Sequence, residues 1–479
     1  MHDFTPLRLS AILFALCVGE TTSALMAAES VTSPPTLIRD YVNHEDSAYR
    51  WSIVSKVQSE IQTTLIVDLV SQRWRSPEEV DRTEWRHWLT IVVPNEVQFD
   101  TALLFIGGGS NDARPPQKAS DRLKQLALHS KSVVAELRSV PNEPLTFAGF
   151  NRPLKEDAII AFCLNRCIET GDYTWLARLP MVKSAVKAMD AVQEIVKQEC
   201  ATEAPKPIVS FVVAGASKRG WTTWLVPTVD KRVKAIVPMV IDVLNVRPSM
   251  AHHLAAYGKW SPALKDYERQ QLLTEAAMDR SRELMAIDDP YTYRSLLELP
   301  KYVINASGDE YFVSDSWQFY FNDLPGEKHL RYIPNTGHSL DGTDVAASLL
   351  AFYQFILAGQ PRPKYQWRLE GDGTIVLSAT DKPAAVHHWV ATNPAARDFR
   401  LTTLGRKFVE QPIEPDAKGE YRATISPPTA GWTAHFIEAE FAGLETTRLK
   451  VTSGIQINPP TLPFAEKARP LLEGAAAGR

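Results

Sequence analysis

Apolar and polar positions alternate along residues 49–94, in segments such as Thr64-Leu-Ile-Val-Asp-Leu-Val and Trp88-Leu-Thr-Ile-Val-Val. A two-residue period predicts antiparallel strands with one solvated face. Ala102 to Ile106 is instead continuously apolar, as is Val133 to Leu137 more weakly, which suits strands covered on both faces. The period then lengthens. Helices are expected from Glu156 to about Cys167 and from Met181 to about Val196. The second carries a stripe at Val182, Ala185, Val186, Met189, Val192 and Ile195. Strands return at 209–214, 233–241, 302–306 and 330–333, with helices near 316–322 and over 345–358. Residues from about 244 to 299 read as a helical insertion of the kind that forms a cap. This alternation predicts an α/β class with a mostly parallel sheet flanked by helices.

Gly359-Gln-Pro-Arg-Pro363 breaks the rhythm. Beyond it, short apolar runs with turn signals predict a β-sandwich over 364–455, opened by a hairpin turning at Asp372-Gly373. Residues 456–479 are rich in Pro and Ala and are expected to be loosely held. At the other end, Arg8, the apolar run Leu9 to Val18 and the small residues at Thr22-Ser-Ala24 and Ala28 read as a signal peptide over 1–28. That leaves 29–360 for the α/β domain, and a mature chain with no integral membrane segment, periplasmic or secreted. A net charge of −4 argues against nucleic-acid binding driven by bulk charge. Of the four cysteines, Cys17 lies in the signal. Cys163, Cys167 and Cys200 allow at most one disulfide, and their spacing resembles no zinc site.

The candidate chemistry starts at Ser217. Val209-Ser-Phe-Val-Val-Ala-Gly-Ala-Ser-Lys-Arg-Gly-Trp221 is a β-branched run, a small-residue turn and a helix start, the layout of a nucleophile elbow. It departs from G-x-S-x-G, because Arg219 stands two after the serine and Gly220 comes one residue late. Pro227 also interrupts the following helix. A serine nucleophile needs a base, and the base needs an orienting acid. Asp309, after the strand at 302–306, and His338, after the strand at 330–333, follow in the order serine, acid, histidine. Asp242, one strand earlier, competes with Asp309, and Glu310 and Asp315 are lesser rivals. For the oxyanion hole the candidate donors are the Lys218 backbone N–H and Gly108 or Gly109, in the glycine triplet after Ile106. Arg219 is a candidate for substrate binding. No metal or organic cofactor is required by this chemistry.

Several segments together resemble the PhoPQ-activated pathogenicity-related protein family. They are Glu156-Asp-Ala-Ile-Ile-Ala, Ala177 to Asp190, Gly215-Ala-Ser-Lys-Arg-Gly-Trp-Thr-Thr-Trp224 and Asp242-Val-Leu-Asn245. Further matches are Tyr257-Gly-Lys-Trp, Lys265-Asp-Tyr, Asn305-Ala-Ser-Gly-Asp-Glu-Tyr-Phe and Gly431-Trp-Thr-Ala434. The resemblance covers nearly all of the mature chain. It implies an α/β-hydrolase fold, an exported bacterial envelope protein and a link to envelope-stress regulation. The elbow is also similar to the G-C-S-R-x-G of glucuronoyl esterases, where a basic side chain follows the serine and assists the oxyanion. Lys218 holds that position here. This implies that its ammonium supplements its own N–H or binds an acidic substrate group. The reading is an exported serine hydrolase, an esterase forming an acyl-enzyme on Ser217 with a small-molecule or glycan ester as substrate. The alternatives are a peptidase of the same fold and a catalytically silent binding or signalling protein.

Overall fold

In the computed structural model, which describes residues 35–476, the apolar segments assemble into one nine-stranded sheet. The expected signal peptide lies outside the described residues. The strands are β1 (Arg50–Gln58), β2 (Gln62–Arg73), β3 (Glu84–Pro94), β4 (Thr101–Ile106), β5 (Val134–Leu137), β6 (Ser210–Ala216), β7 (Val233–Met239), β8 (Lys301–Ala306) and β9 (Lys328–Ile333), in the order β1-β2-β3-β5-β4-β6-β7-β8-β9. β1, β2 and β3 pair antiparallel, and β3 joins β5 antiparallel; the remaining pairings are parallel. Parallel strands need helical crossovers, which cover both faces and require apolar residues throughout. β4 and β8 are almost wholly buried, with Ala102 to Ile106 of β4 and Tyr302 to Ile304 of β8 continuously apolar.

The crossovers and flanks are α1 (Leu37–Asn43), α2 (Asp121–Ser130), α3 (Asp157–Thr170), α4 (Arg178–Glu199) and α5 (Lys218–Leu225). The stripe expected on α4 is buried against β2 and β3, and Val182, Ala185, Met189 and Val192 share a core with Leu65 and Val67. Each large aliphatic side chain so buried contributes about 1.5–3 kcal/mol. This packing corrects one expectation. β2 is buried along nearly its whole length, because α4 lies over it, and the alternating exposure survives on β1 and the first half of β3. The segment near 316–322 is also shorter than expected, a single 3-10 turn at Ser316–Phe319.

Between β7 and β8 the chain forms α6 (Val246–Tyr257), α7 (Lys265–Arg269), α8 (Glu275–Arg280) and α9 (Arg282–Asp288), the helical insertion read from the sequence. After β9 come α10 (Val345–Leu357) and two small antiparallel sheets. β10 (Tyr365–Leu369), β11 (Ile375–Ala379) and β14 (Tyr421–Ala423) form one. β12 (Ala385–Asn393), β13 (Val409–Pro412), β15 (Trp432–Ala442), β16 (Arg448–Thr452) and β17 (Gln456–Asn458) form the other, with α11 (Leu401–Leu404) between β12 and β13. The break at 359–363 marks a change of element type, yet side chains interleave across it. Trp317 donates to the Ile455 carbonyl at 2.9 Å and meets the Trp367 ring edge-on at 4.8 Å. Residues 35–476 belong to one compact unit.

The stretch expected to be loose is docked through residue 476. β17 pairs with β15, and α12 (Ala465–Ala476) packs on α6, with Ala468 and Leu471 buried beside Ala251 and Ala255. Ala468, Ala251 and Ala255 give the contact small side chains on both helices. Cys163, Cys167 and Cys200 are separate buried thiols, and burial pushes Cys200 up to about 11 and Cys167 up to about 12. Among the described residues no helix is long and apolar enough to cross a membrane, and no cluster of His, Cys, Asp or Glu is arranged to hold a metal.

Candidate active site

Ser217 directly follows β6 and caps α5 with φ 58° and ψ −127°, a conformation that side chains with a Cβ rarely adopt. Such strain costs about 1–3 kcal/mol and persists only where the surroundings impose it. Here the Ser217 N–H donates to the Met239 carbonyl of β7 at 2.8 Å, and the Ser217 carbonyl accepts from Trp221 N at 2.9 Å. The irregular glycine spacing has a packing reason. A Cβ at Gly215 would lie 2.7 Å from the Arg219 carbonyl oxygen, and one at Gly220 would lie 2.8 Å from the Met239 carbonyl oxygen. Both glycines let α5 lie close to β6 and β7, so the glycine is needed at 220 and Arg219 is admitted before it. α5 ends at Leu225, and Pro227 falls in a short 3-10 turn.

The loops after β8 and β9 bring the two downstream candidates to this turn. His338 Nε2 lies 2.8 Å from Ser217 Oγ, and its Nδ1 lies 2.9 and 3.0 Å from the two Asp309 oxygens. Asp309 is buried and accepts from the Tyr311 N–H at 2.8 Å, which fixes its orientation. Burial disfavours the imidazolium, but the Asp309 carboxylate outweighs it and holds His338 above the ordinary histidine value. Glu310, a lesser rival for the acid, accepts from the His338 backbone N–H at 2.8 Å and so anchors the loop. Gly337 leaves room for that carboxylate, since a Cβ there would overlap Glu310 Oε1. Asp315 pairs instead with His252 and Arg397. Asp242 is fully buried and accepts from Tyr320 and Tyr332 at 2.7 and 2.5 Å; burial pushes it up to about 7. The contact with His338 is made by Asp309.

The two basic residues after the serine are placed differently from expectation. Arg219 binds the Glu156 carboxylate through two bonds of 2.9 Å and donates to the Val140 carbonyl, so its guanidinium is occupied inside the protein and not directed at substrate. Lys218 does line the cavity at Ser217, but its ammonium is answered by Glu156 at 2.6 Å and Asp157 at 3.4 Å. Two carboxylates thus offset the basic character that the sequence suggests, and the ammonium is not left free for an acidic substrate group. As the first residue of α5, Lys218 has a backbone N–H with no acceptor within the helix, as an oxyanion donor requires. Gly108 packs against the Arg219 guanidinium, where a Cβ would lie 2.6 Å from Nη2, and Gly109 lies against Ser139. Neither glycine lines the cavity.

Glu156 is the residue that sequence reasoning missed. It caps α3 with φ 51° and ψ −128°, nearly the backbone conformation of Ser217, and its N–H donates to the buried Glu143 carboxylate at 2.5 Å. Burial raises Glu156, but Arg219 and Lys218 outweigh it and hold the carboxyl well below its usual range. Burial and the Glu156 charge push Glu143 upward. Asp157 accepts from Tyr267 at 3.1 Å and from Tyr311 at 3.2 Å, and the Tyr311 ring lies 4.4 Å from the His338 ring. Glu156 and Asp157 open a segment that carries the family resemblance, which is the signal that could have found them. Glu156→Gln is expected to destabilise the fold by about 1 kcal/mol, because two buried cations lose a shared partner whose carboxylate is half exposed and screened by water. Equilibrium denaturation measures this; an unchanged midpoint would show that the network carries no stability.

The cavity that opens at Ser217 has a volume of about 430 Å³. α3 supplies Ile160 and Leu164, and the helical insertion closes over it with Met250, Leu273, Leu284 and Met285. Charged side chains also line it, among them Asp157, Arg178, Lys218, Arg247, Asp288 and Asp289.

The model of the PhoPQ-activated pathogenicity-related protein family matches residues 38–400. Autocrine proliferation repressor protein A of Dictyostelium discoideum is 39% identical over 469 residues, covering 92% of this chain and 93% of that one. Solved structures resemble the chain more distantly. An acetyl xylan esterase from a Thermoanaerobacterium species is 15% identical with a TM-score of 0.45, over 68% of this chain and 95% of that one. A glucuronoyl esterase from Solibacter usitatus is 14% identical with a TM-score of 0.37, over 65% and 87%. The extent of the family match and the identity to the Dictyostelium protein together establish that this chain belongs to the PhoPQ-activated pathogenicity-related protein family.

Proposed function

We propose that the protein is a serine hydrolase of the α/β-hydrolase type that cleaves esters through an acyl-enzyme on Ser217. The observation that carries this reading is the hydrogen-bonded line from Asp309 through His338 to Ser217 on a strained strand-to-helix turn. Ser217 Oγ attacks the ester carbonyl carbon while His338 Nε2 takes the hydroxyl proton. The carbonyl oxygen becomes an oxyanion, which the Lys218 backbone N–H stabilises. Collapse of the intermediate breaks the bond to the alcohol oxygen, and that oxygen takes the proton from His338. Water then repeats the sequence on the acyl-enzyme and frees Ser217. An apolar cavity beside the serine favours the acyl or alcohol part of an ester over a charged substrate.

A fluorophosphonate probe tests the reading directly. Folded wild-type protein at neutral pH is expected to be labelled on Ser217; a protein that never labels is a binding protein on a hydrolase scaffold. The two C-terminal sheets share one apolar cluster with α10, which supports a small β-sandwich seated on the hydrolase core. The expected signal peptide supports an exported protein. Cell fractionation checks that location, and recovery of the protein only from cytoplasm would reject it.

A further inference from the structure

A helix packed against a core needs one apolar stripe, and α3 carries two. Ile159, Cys163 and Cys167 form the first and are fully buried. Ile160, Leu164 and Ile168 form the second and line the cavity, with Leu164 and Ile168 only half buried. This second row has a direction. It starts beside the reacting groups, because Asp157, one turn before Ile160 on the same face, lies 3.4 Å from Lys218 Nζ. Asp157 also accepts from Tyr311, whose ring lies against His338. From Asp157 the row runs to Ile168, about 16 Å along the helix axis. The other walls include Trp221 of α5 and, from the helical insertion, the half-buried Leu273, Met278 and Met285.

The charged side chains along these walls are answered by the protein itself. Lys218 meets Glu156 at 2.6 Å and Asp157 at 3.4 Å. Arg178 stands 3.9 Å from Asp288, and both are buried. Arg247 and Arg282 share Asp279, at 2.8 and 3.0 Å. Asp289 accepts from the N–H groups of Val246 and Tyr291 at 2.8 and 3.0 Å. A charged ligand group would compete with these partners, whereas an apolar one displaces none of them. The surface left for a ligand is the row of aliphatic and thioether side chains.

We propose that the substrate is an ester bearing an unbranched aliphatic chain of about eight to ten carbons, which lies along Ile160, Leu164 and Ile168; this rests on the serine-hydrolase reading. Volume sets the length. At about 30 Å³ for each water-sized group, 430 Å³ holds roughly 14 of them, and the ester itself uses about four. Shape sets the class. A row with an apolar side chain at every turn suits an extended chain, and an acetyl group would leave most of it wet. A sugar ring laid there would set its hydroxyls against side chains that cannot bond them.

Two ester series test the length and the side of the ester that the cavity holds. p-Nitrophenyl esters of acetic, butyric, octanoic, decanoic and hexadecanoic acid vary the acyl chain; methyl, butyl, octyl, decyl and hexadecyl acetates vary the alcohol. In one series kcat/KM is expected to peak at about eight to ten carbons, about tenfold or more above the shortest member. The series that peaks identifies the part that lies on the row. The p-nitrophenyl monoester of decanedioic acid is expected to react about tenfold more slowly than the decanoate, since burying its carboxylate is costly. Leu164→Trp is expected to move the optimum to about four carbons, and Ile168→Trp, one turn further from the serine, to move it less. Rates that are flat or fall with length in both series, equal rates for decanoate and decanedioate, or an optimum that neither substitution moves overturn the proposal. The wild-type series stand even where a variant does not fold. Turnover of no ester, with no fluorophosphonate labelling, is failure of the hydrolase reading, which is a different outcome. In that case calorimetry with octan-1-ol and butan-1-ol reads the row without chemistry. Tighter binding of octan-1-ol that is lost in Leu164→Trp supports the row as a chain site, and any other result rejects it.

Discussion

Replacing Ser217 with alanine is expected to abolish fluorophosphonate labelling and to lower ester turnover by on the order of 10⁴-fold or more. Without Oγ there is no proton for His338 to remove and no acyl-enzyme to form. The residual rate would come from binding and from the oxyanion donor alone. Turnover is measured on the ester that the wild type cleaves fastest, with a thermal melt as the folding control. Ser217→Ala keeps the Cβ and therefore keeps the backbone strain, so its melting temperature should stay near that of the wild type. Ser217→Gly should instead be more stable by about 1 kcal/mol, because glycine adopts φ 58° without penalty. Wild-type turnover in Ser217→Ala would place the nucleophile elsewhere and end the proposed mechanism.

Exchanging the acid is the second large effect. Asp309→Asn is expected to reduce turnover by about 10⁴-fold, whereas Asp242→Asn should stay within several-fold of wild type. Asp309 accepts from His338 Nδ1 and so leaves Nε2 free to accept the Ser217 proton. An asparagine amide can donate to Nδ1 and reverse the tautomer, which removes the base. The Asp242 oxygens are held by Tyr320 and Tyr332, and neither contacts His338. A pH profile gives an independent readout. Catalysis needs neutral His338, and Asp309 holds its folded value above 6.5. The acid limb of kcat/KM should therefore have its midpoint above 6.5 in the wild type and lower in Asp309→Asn. The same sign governs stability. The ion pair contributes fully below the unfolded histidine value of about 6.5, and its contribution is lost as pH rises through the folded value. Equal effects of the two substitutions on turnover would mean that the assignment of the acid is wrong.

Much of this site could be read from the chain because its signals are local. Ser217, Asp309 and His338 each follow an apolar strand by a few residues, and the parallel strands β6, β8 and β9 end on the same edge of one sheet. Glu156 was not legible as a partner of Lys218 and Arg219, because 62 and 63 residues separate them and nothing in the spacing couples them. The same distance effect explains the misreading of Arg219. An arginine beside a nucleophile reads as a substrate ligand until its carboxylate is found on another element. β2 was misread for a related reason, since the helix that covers its outer face lies more than a hundred residues later.

Periodicity and turn chemistry along the chain determined the α/β class, the helical insertion between β7 and β8 and the order of serine, acid and histidine. These depend on neighbouring residues and on which strand ends a sheet brings together. Only the tertiary structure decided that Asp309 and not Asp242 meets the imidazole. It also decided that the basic residues are neutralised from α3, and that Leu164 and Ile168 of the same helix line the cavity at Ser217. Those outcomes turn on ångström-scale contacts between side chains far apart in the chain, and interactions of that kind leave no periodic trace in sequence.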